Sequence, residues 1–179
     1  MLMFVRHLAA IVALPFTMAV LVPLWIVRRY GSAPVGGLPA MASQLAGVVA
    51  LAIGLVLFAT SVRYFAVRGR GTLAPWDPPK ALVVAGPYRY VRNPMISGVL
   101  FILAGEALVL VSRTLALWTL VFLCVNLVYI PFMEEPLLVQ RFGEAYREYC
   151  REVRRIVPRE RPWEPGGNHG GRRDASDRA

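Results

Sequence analysis

The chain has 179 residues, of which 56% are hydrophobic and 17% are charged, and its mean hydropathy is +0.51. This composition excludes an ordinary soluble globular protein, and the length suits a single domain. The formal charge of +9 is compatible with a nucleic-acid binder. However, the arginines flank apolar runs and form no soluble basic face, so we expect no nucleic-acid partner.

Four charge-poor runs are long enough to cross the roughly 30 Å of hydrocarbon in a bilayer. They predict an all-α integral membrane protein with about four transmembrane helices. A signal peptide is the alternative for the first run, but its apolar part should be about 7–15 residues long and end at a small-residue cleavage site. The predicted spans cover residues 8–27, 45–67, 94–111 and 115–133.

Two pairs of glycines lie inside the second and third spans. Gly47 and Gly54 share one helical face, and so do Gly98 and Gly105. Small residues at this spacing let two helices approach closely in lipid. The pattern therefore favours contact between glycine-bearing faces.

Polar side chains also occur inside the spans. Glu106 lies in the third span and Asn126 in the fourth. An intramembrane carboxylate is a functional candidate, but the depth of Glu106 places it far from the polar end of its helix. We therefore expect it to join helices through Asn126, Thr17 or Arg113, and Asn126 to bond between helices as well.

The basic residues set the orientation of the spans, because cytoplasmic loops carry the excess of Lys and Arg. With four spans, both termini and the second loop share one side, which carries most of the basic residues. The opposite side has only Arg28, Arg29 and Arg113. The sequence therefore predicts a multi-pass protein of the inner (cytoplasmic) membrane with both termini in the cytoplasm.

A polar, turn-rich stretch, residues 85–98, runs directly into the third span. The dipeptide Gly86-Pro87 breaks regular structure, and the residue before Pro94 is pushed away from helical conformations. Asn93 is thus predicted to cap the helix with its side chain turned onto free backbone N–H groups. This helix end, beside Arg92, suits an anionic group. The alternative is an interfacial collar of arginines and tyrosines.

The fourth span ends in an acidic pair, Glu134-Glu135, followed by Pro136. Because the third and fourth spans form a hairpin, this pair emerges on the same side as Arg92. Pro136 suits the first turn of a new helix. An interfacial amphipathic helix is predicted over residues 136–154, with an apolar face formed by Leu138, Phe142, Tyr146, Tyr149 and Val153.

The end of the chain changes composition after Pro158, where Gly, Arg and Asp dominate. We predict one membrane-embedded domain over residues 1–161 and a disordered tail over 162–179. Cys124 lies in an apolar span and Cys150 in a polar segment, so no disulfide is expected. Neither has a partner suited to a metal, and no metal site is predicted.

Two motifs stand in order along the chain. The first is Gly-Pro-Tyr-Arg-Tyr-Val-Arg-Asn-Pro-Met-Ile-Ser-Gly at residues 86–98. The second begins with Glu-Glu-Pro-Leu-Leu at 134 and continues as Arg-Phe-Gly-Glu-Ala-Tyr-Arg-Glu-Tyr to 149. Together they resemble the isoprenylcysteine carboxyl methyltransferase family and its bacterial relatives, which include phospholipid methyltransferases. The resemblance covers roughly residues 82–158.

The resemblance implies S-adenosylmethionine as the cofactor, bound at the cytoplasmic face. It places Arg92-Asn93-Pro94 in the family's Arg-His-Pro motif, with Asn93 replacing the histidine and Ile96 replacing a tyrosine. It assigns the cofactor to Tyr88, Arg92, Asn93, Pro94, Gly98, Glu134 and Glu135. It assigns catalysis to Tyr90, Arg92 and Asn93.

The predicted function is methyl transfer to a hydrophobic or lipid-like acceptor, with membrane lipids as partners. A carboxylate acceptor is favoured, because it needs no general base and the sequence offers no clear one. One alternative is a phospholipid-type N-methyltransferase. Another, from a different class, is a non-catalytic membrane protein that keeps the fold and binds a lipid or a partner.

Overall fold

The computed structural model describes residues 12–31, 37–69 and 81–165. Over these ranges the chain forms helices and connecting turns, without a β-strand. A π-helical segment, Val12–Leu21, leads into α1, and a 3₁₀ turn, Gly86–Arg89, precedes α3. A second π-helical turn, Ile130–Glu134, joins α4 to α5. The helices are α1 (Val22–Tyr30), α2 (Leu38–Arg68), α3 (Pro94–Val109), α4 (Arg113–Tyr129), α5 (Glu135–Phe142) and α6 (Glu144–Glu152).

The closest helix contact, between α2 and α3, is made through glycines. A Cβ atom built on Gly54 would lie 2.7 Å from the backbone nitrogen of Ile102, and one built on Gly105 would lie 2.8 Å from the carbonyl oxygen of Gly47. Gly98 meets the backbone of α2 in the same way. The predicted contact between glycine-bearing faces is confirmed, and it brings the backbones of α2 and α3 close together.

The helices alternate in direction. At one end of the bundle, Ile26 of α1, Ala107 of α3 and Leu115 of α4 form a buried cluster. The Ser43 hydroxyl, near the start of α2, donates to the carbonyl of Leu108 at 3.0 Å. The acidic pair and the turn before α3 therefore lie at the opposite end.

Two continuous helical stretches, Leu38–Arg68 and Arg113–Phe142, are long and apolar enough to cross a membrane. α3 is apolar but has 16 residues, a rise of about 24 Å at 1.5 Å per residue. The first predicted span begins at residue 8, outside the described residues. Its described part is helical and runs past residue 27, to Tyr30.

The predicted single helix over 136–154 is wrong in two respects. No new helix begins at Pro136, because the chain continues helically from α4 through the π-helical turn into α5. The wider π-helical turn precedes Pro136, which then stands in the first turn of α5, where its missing N–H is tolerated. The break falls instead at Gly143, whose φ of 57° ends α5.

The apolar face predicted for this region is confirmed across both helices. Tyr146, Tyr149 and Val153 are buried, and Leu138 and Phe142 pack against them. These side chains form a small second core at the site end of the bundle, which holds the following segment in place.

That segment, residues 153–165, is called the strap below. Its Trp163 is only 5% exposed, and its ring lies 5.7 Å from that of Tyr149. The prediction of a disordered tail from residue 162 is therefore wrong for residues 162–165, because burial of the indole orders them. The rest of the predicted tail lies outside the described residues.

Candidate cofactor site

The 3₁₀ turn before α3 is shaped by Gly86 and by the ring of Tyr64. Gly86 has a φ of 55°, and a Cβ atom there would collide with that ring, so only glycine fits. The turn buries Tyr88, whose hydroxyl reaches the Ser61 carbonyl at 3.5 Å. The Tyr88 carbonyl accepts from the Tyr149 hydroxyl at 2.7 Å. The first motif, residues 86–98, is thus held between α2 and α6 through Tyr88.

The strap runs antiparallel to the motif and pairs with it through the backbone. Three hydrogen bonds of 2.9–3.0 Å connect them: Arg92 N–H to the Arg154 carbonyl, Arg159 N–H to the Tyr90 carbonyl, and Trp163 N–H to the Arg89 carbonyl. The Arg89 guanidinium adds a bond to the Trp163 carbonyl at 3.0 Å and an ion pair with Glu164. Residues 89–92 are therefore held along their whole length.

Arg92 and Glu135 meet at the centre of the site, as their position on one side of the hairpin predicted. Arg92 Nη1 lies 3.0 Å from Glu135 Oε1, and the two side chains are 11% and 17% exposed. Arg155 donates to both oxygens of the same carboxylate, each at 2.9 Å. Arg92 Nη1 also contacts the sulfur of Cys150. The Glu135 carboxylate thus forms ion pairs with two guanidinium groups.

Arg92 keeps unused donors. Its Nε is buried and has no hydrogen-bond partner in the described part of the chain. Among the described residues, its known partners contact Nη1 only. The edge formed by Nε and Nη2 is the one that takes a carboxylate in a bidentate manner. An unsatisfied buried guanidinium N–H is costly, and a bound anion would satisfy it.

Glu134 differs from its neighbour. It lies beside the buried Tyr88, whose pKa is raised by burial and, to a smaller degree, by the Glu134 carboxylate. Tyr88 therefore stays protonated. Within the described ranges the Glu134 carboxylate makes no ion pair or hydrogen bond, whereas the Glu135 carboxylate is held by Arg92 and Arg155. The free acceptor of the acidic pair is Glu134.

The remaining predicted site residues are divided between the site and the helix packing. Tyr90 is 38% exposed at the rim. Asn93 is the N-cap of α3, as predicted, but its side chain makes no capping hydrogen bond, so that part of the prediction is wrong. Pro94 is fully buried. Gly98 lies against the backbone of Phe58 in α2, which gives it a packing role.

Sequence reasoning missed Arg155, Cys150 and Trp163. Arg155 follows the arginines of the polar helix face and looks like another surface charge in the sequence. Only the turn of the chain after α6 brings it back to Glu135. By contrast, Glu144 lies on the exposed face of α6, as the amphipathic pattern predicts. Hydrogen bonds from Arg151 and Arg147 lower its pKa.

The polar residues within the helices do not pair as expected. Glu106 Oε2 is buried and accepts no hydrogen bond from any residue that the structure describes. Asn126 donates to the Phe122 carbonyl of its own helix at 2.8 Å, because this i−4 carbonyl lies within its reach. Both predictions of bonding between helices are wrong. In the described part of the chain, no group of three His, Cys, Asp or Glu side chains is arranged to hold a metal.

Taken together, long apolar helices and a cluster of arginines and carboxylates at one end of the bundle define a helical, membrane-associated protein with its polar side chains gathered at one end. The family model described as phospholipid methyltransferase matches residues 42–145. Since the match covers more than half of the chain, the protein belongs to the phospholipid methyltransferase family, which confirms the suspected relationship. Comparisons with curated proteins and with solved structures gave no match.

Proposed function

We propose that the protein transfers a methyl group from S-adenosylmethionine to a hydrophobic or lipid-like acceptor. The observation that carries the proposal is the proximity of two side chains that have groups without a partner among the described residues: the Nε of Arg92 and the carboxylate of Glu134, next to the Glu135 that pairs with Arg92. Both lie where the apolar helices end. Family membership supports methyl transfer as the type of reaction.

The residues fit the polar groups of this cofactor. Its carboxylate suits the Nε–Nη2 edge of Arg92, close to the start of α3, where the helix dipole favours an anion. Its ammonium or its ribose hydroxyls suit Glu134. Tyr90, partly exposed at the rim, offers an aromatic surface for adenine. When bound, the cofactor supplies a methyl group activated by its positive sulfonium.

The protein's contribution is positioning and exclusion of water. The strap and α6 hold the motif residues rigidly, and fixed geometry of this kind can supply a large part of the rate of a displacement reaction. The apolar helices give a hydrophobic acceptor a route from the lipid, while a soluble cofactor arrives from the aqueous side. With a carboxylate acceptor no proton has to move.

One observation favours a second acceptor class, an amine. An amine must lose a proton during methylation, and Glu134 has neither an ion pair nor a hydrogen bond in the described ranges to compete with that role. Family membership also fits an amine-bearing phospholipid. In this version Glu134 would accept the proton, and Arg92 would still hold the cofactor.

We further propose four transmembrane spans, with both termini on the cytoplasmic side of the inner membrane. The alternating helix directions support this, because the ends of α1 and α3 and the starts of α2 and α4 meet at one end of the bundle. Arg28, Arg29 and Arg113 lie near that end, and the arginine-rich strap lies at the other.

The test is incubation of the purified protein with methyl-labelled S-adenosylmethionine and a membrane lipid extract. We expect label in the organic phase, and much less with Arg92→Ala. Treatment of the product with base separates the acceptor classes, since a methyl ester releases labelled methanol and a methylated amine does not. Cofactor binding without any labelled product from extracts of several sources would favour the non-catalytic alternative.

A further inference from the structure

We infer that Arg155 is a positioning residue that keeps the anion-binding edge of Arg92 open. It does so by holding Glu135 in place. This inference rests on the proposed function, because the anion concerned is the cofactor carboxylate. It deepens that function by naming a residue outside the segment matched by the family model, residues 42–145.

The first step is the way in which Glu135 is shared. Arg155 Nε donates to Oε1 and Arg155 Nη2 to Oε2, both at 2.9 Å. This is the bidentate arrangement, the strongest that a guanidinium makes with a carboxylate. Arg92 reaches only Oε1, through Nη1. The hydrogen bond to Glu135 also raises the pKa of Arg155, which therefore remains charged.

The second step is what Glu135 would do without Arg155. A half-buried carboxylate beside a single guanidinium gains most by turning to the bidentate Nε–Nη2 edge. Arg92 Nε is buried and lacks a partner among the described residues, so this rotation of Glu135 would also give it a hydrogen bond. Glu135 would then occupy the edge proposed for the cofactor. Arg155 thus prevents an internal carboxylate from competing with the ligand.

The third step is how Arg155 is itself held. The preceding residue, Arg154, accepts a backbone hydrogen bond from Arg92 N–H at 2.9 Å. Val153 is fully buried in the small core beside Tyr149. The strap therefore fixes the spacing between the two arginines, and the side chain of Arg155 is directed at Glu135 rather than at solvent.

The experiment measures binding of S-adenosylhomocysteine by calorimetry in detergent, with a thermal melt for each variant. Arg155→Gln should weaken binding roughly tenfold or more, the effect of losing access to one charge-assisted bond. Adding Glu135→Gln to this variant should restore most of the affinity, since a neutral amide competes poorly for Arg92. Arg147→Gln is the matched control, an exposed arginine paired with Glu144, and should bind like the parent.

The outcomes separate the two proposals. If the folded parent does not bind the ligand, the proposed function fails, and this inference fails with it. If the parent binds and folded Arg155→Gln binds equally well, only the positioning role is wrong. If the double variant binds as weakly as Arg155→Gln, Glu135 is not the competitor, and the inference is overturned. Should Arg155→Gln not fold, Arg155→Lys is used instead, because it keeps the charge but cannot make the bidentate bond to Glu135. It should show the same loss of affinity, restored by Glu135→Gln.

Discussion

Adjacent side chains on a helix point about 100° apart, so Glu134 and Glu135 face different neighbours. Glu135 faces Arg92 and Arg155, while Glu134 faces the buried Tyr88. The pairing of Arg92 with the acidic segment followed from the hairpin and could be predicted. Which of the two carboxylates stays free could not, because that depends on Arg155, whose position is set by the strap.

Gly86 allows a prediction at the residue scale, with Gly143 as its control. Both have positive φ, but Cβ at Gly86 meets the Tyr64 ring, whereas Cβ at Gly143 meets nothing within 4 Å. Replacement by alanine should cost roughly 1–3 kcal/mol of backbone strain at either site. Overpacking should add about 1–3 kcal/mol at Gly86 alone. The melting temperature of Gly86→Ala should therefore be lower than that of Gly143→Ala. The reverse order would contradict the packing of residues 86–89 on α2.

At the element scale, α3 owes its position to close contact with α2 on one side. This contact could be predicted from glycine spacing alone. The division of the C-terminal helix at Gly143 and the folding of the strap could not. The amphipathic pattern continues across the break, and the strap is ordered by contacts distant in sequence, such as Trp163 with Arg89.

The contact between α2 and α3 can be tested with one added methyl group. In Gly54→Ala the new Cβ would lie 2.7 Å from the Ile102 backbone, so the helices must separate. We expect a loss of about 1–3 kcal/mol, seen as a lower melting temperature in detergent. Ala52→Leu adds more volume on an exposed face of the same helix and should melt like the parent. Equal melting temperatures for Gly54→Ala and Ala52→Leu would refute the close contact between α2 and α3.

The strap can be tested by shortening the chain. Ending it at residue 161 removes Trp163, which is 5% exposed, together with its bonds to Arg89. The loss of a buried aromatic side chain should cost roughly 3 kcal/mol or more. A chain ending at residue 165 is the control and should keep the parent's melting temperature, because it retains Trp163 and removes only residues 166–179, which the sequence predicts to be disordered. Identical melting temperatures for the two shortened chains would show that the end of the strap, residues 162–165, does not stabilise the fold.

At the scale of the whole molecule, polar chemistry is concentrated at one end of an apolar bundle. The all-helical class could be predicted from hydropathy, and the meeting of Arg92 with the acidic pair could be predicted from the two motifs. The failure of Glu106 and Asn126 to bond between helices could not, because it depends on which way each side chain turns in the packed bundle. Because the polar residues are concentrated at one end of the bundle, the proposed use of a soluble cofactor requires that end to face the cytoplasm.

The proposed topology is tested by reporter fusions at each end of the chain. A C-terminal fluorescent protein that matures only in the cytoplasm should be bright, and a periplasm-dependent phosphatase at the same place should be inactive. The excess of basic residues on that side is the physical reason. The N-terminus should behave in the same way. Opposite results for the two ends would require an odd number of spans.

The central claim is that the motif before α3 and the acidic pair form a cofactor site. Its most direct test is calorimetric titration of S-adenosylhomocysteine into the parent, Glu134→Gln and Glu135→Gln, each checked by thermal melting. Loss of a charge-assisted hydrogen bond costs roughly 1.5–3 kcal/mol, so Glu134→Gln should bind about 10- to 150-fold more weakly while remaining folded. Glu135→Gln should stay close to the parent in affinity but melt lower, because Arg92 and Arg155 lose their shared partner. If Glu134 merely stabilised a helix end, its effect would be about 0.3–1 kcal/mol. Binding of Glu134→Gln at the parent's affinity would contradict the account.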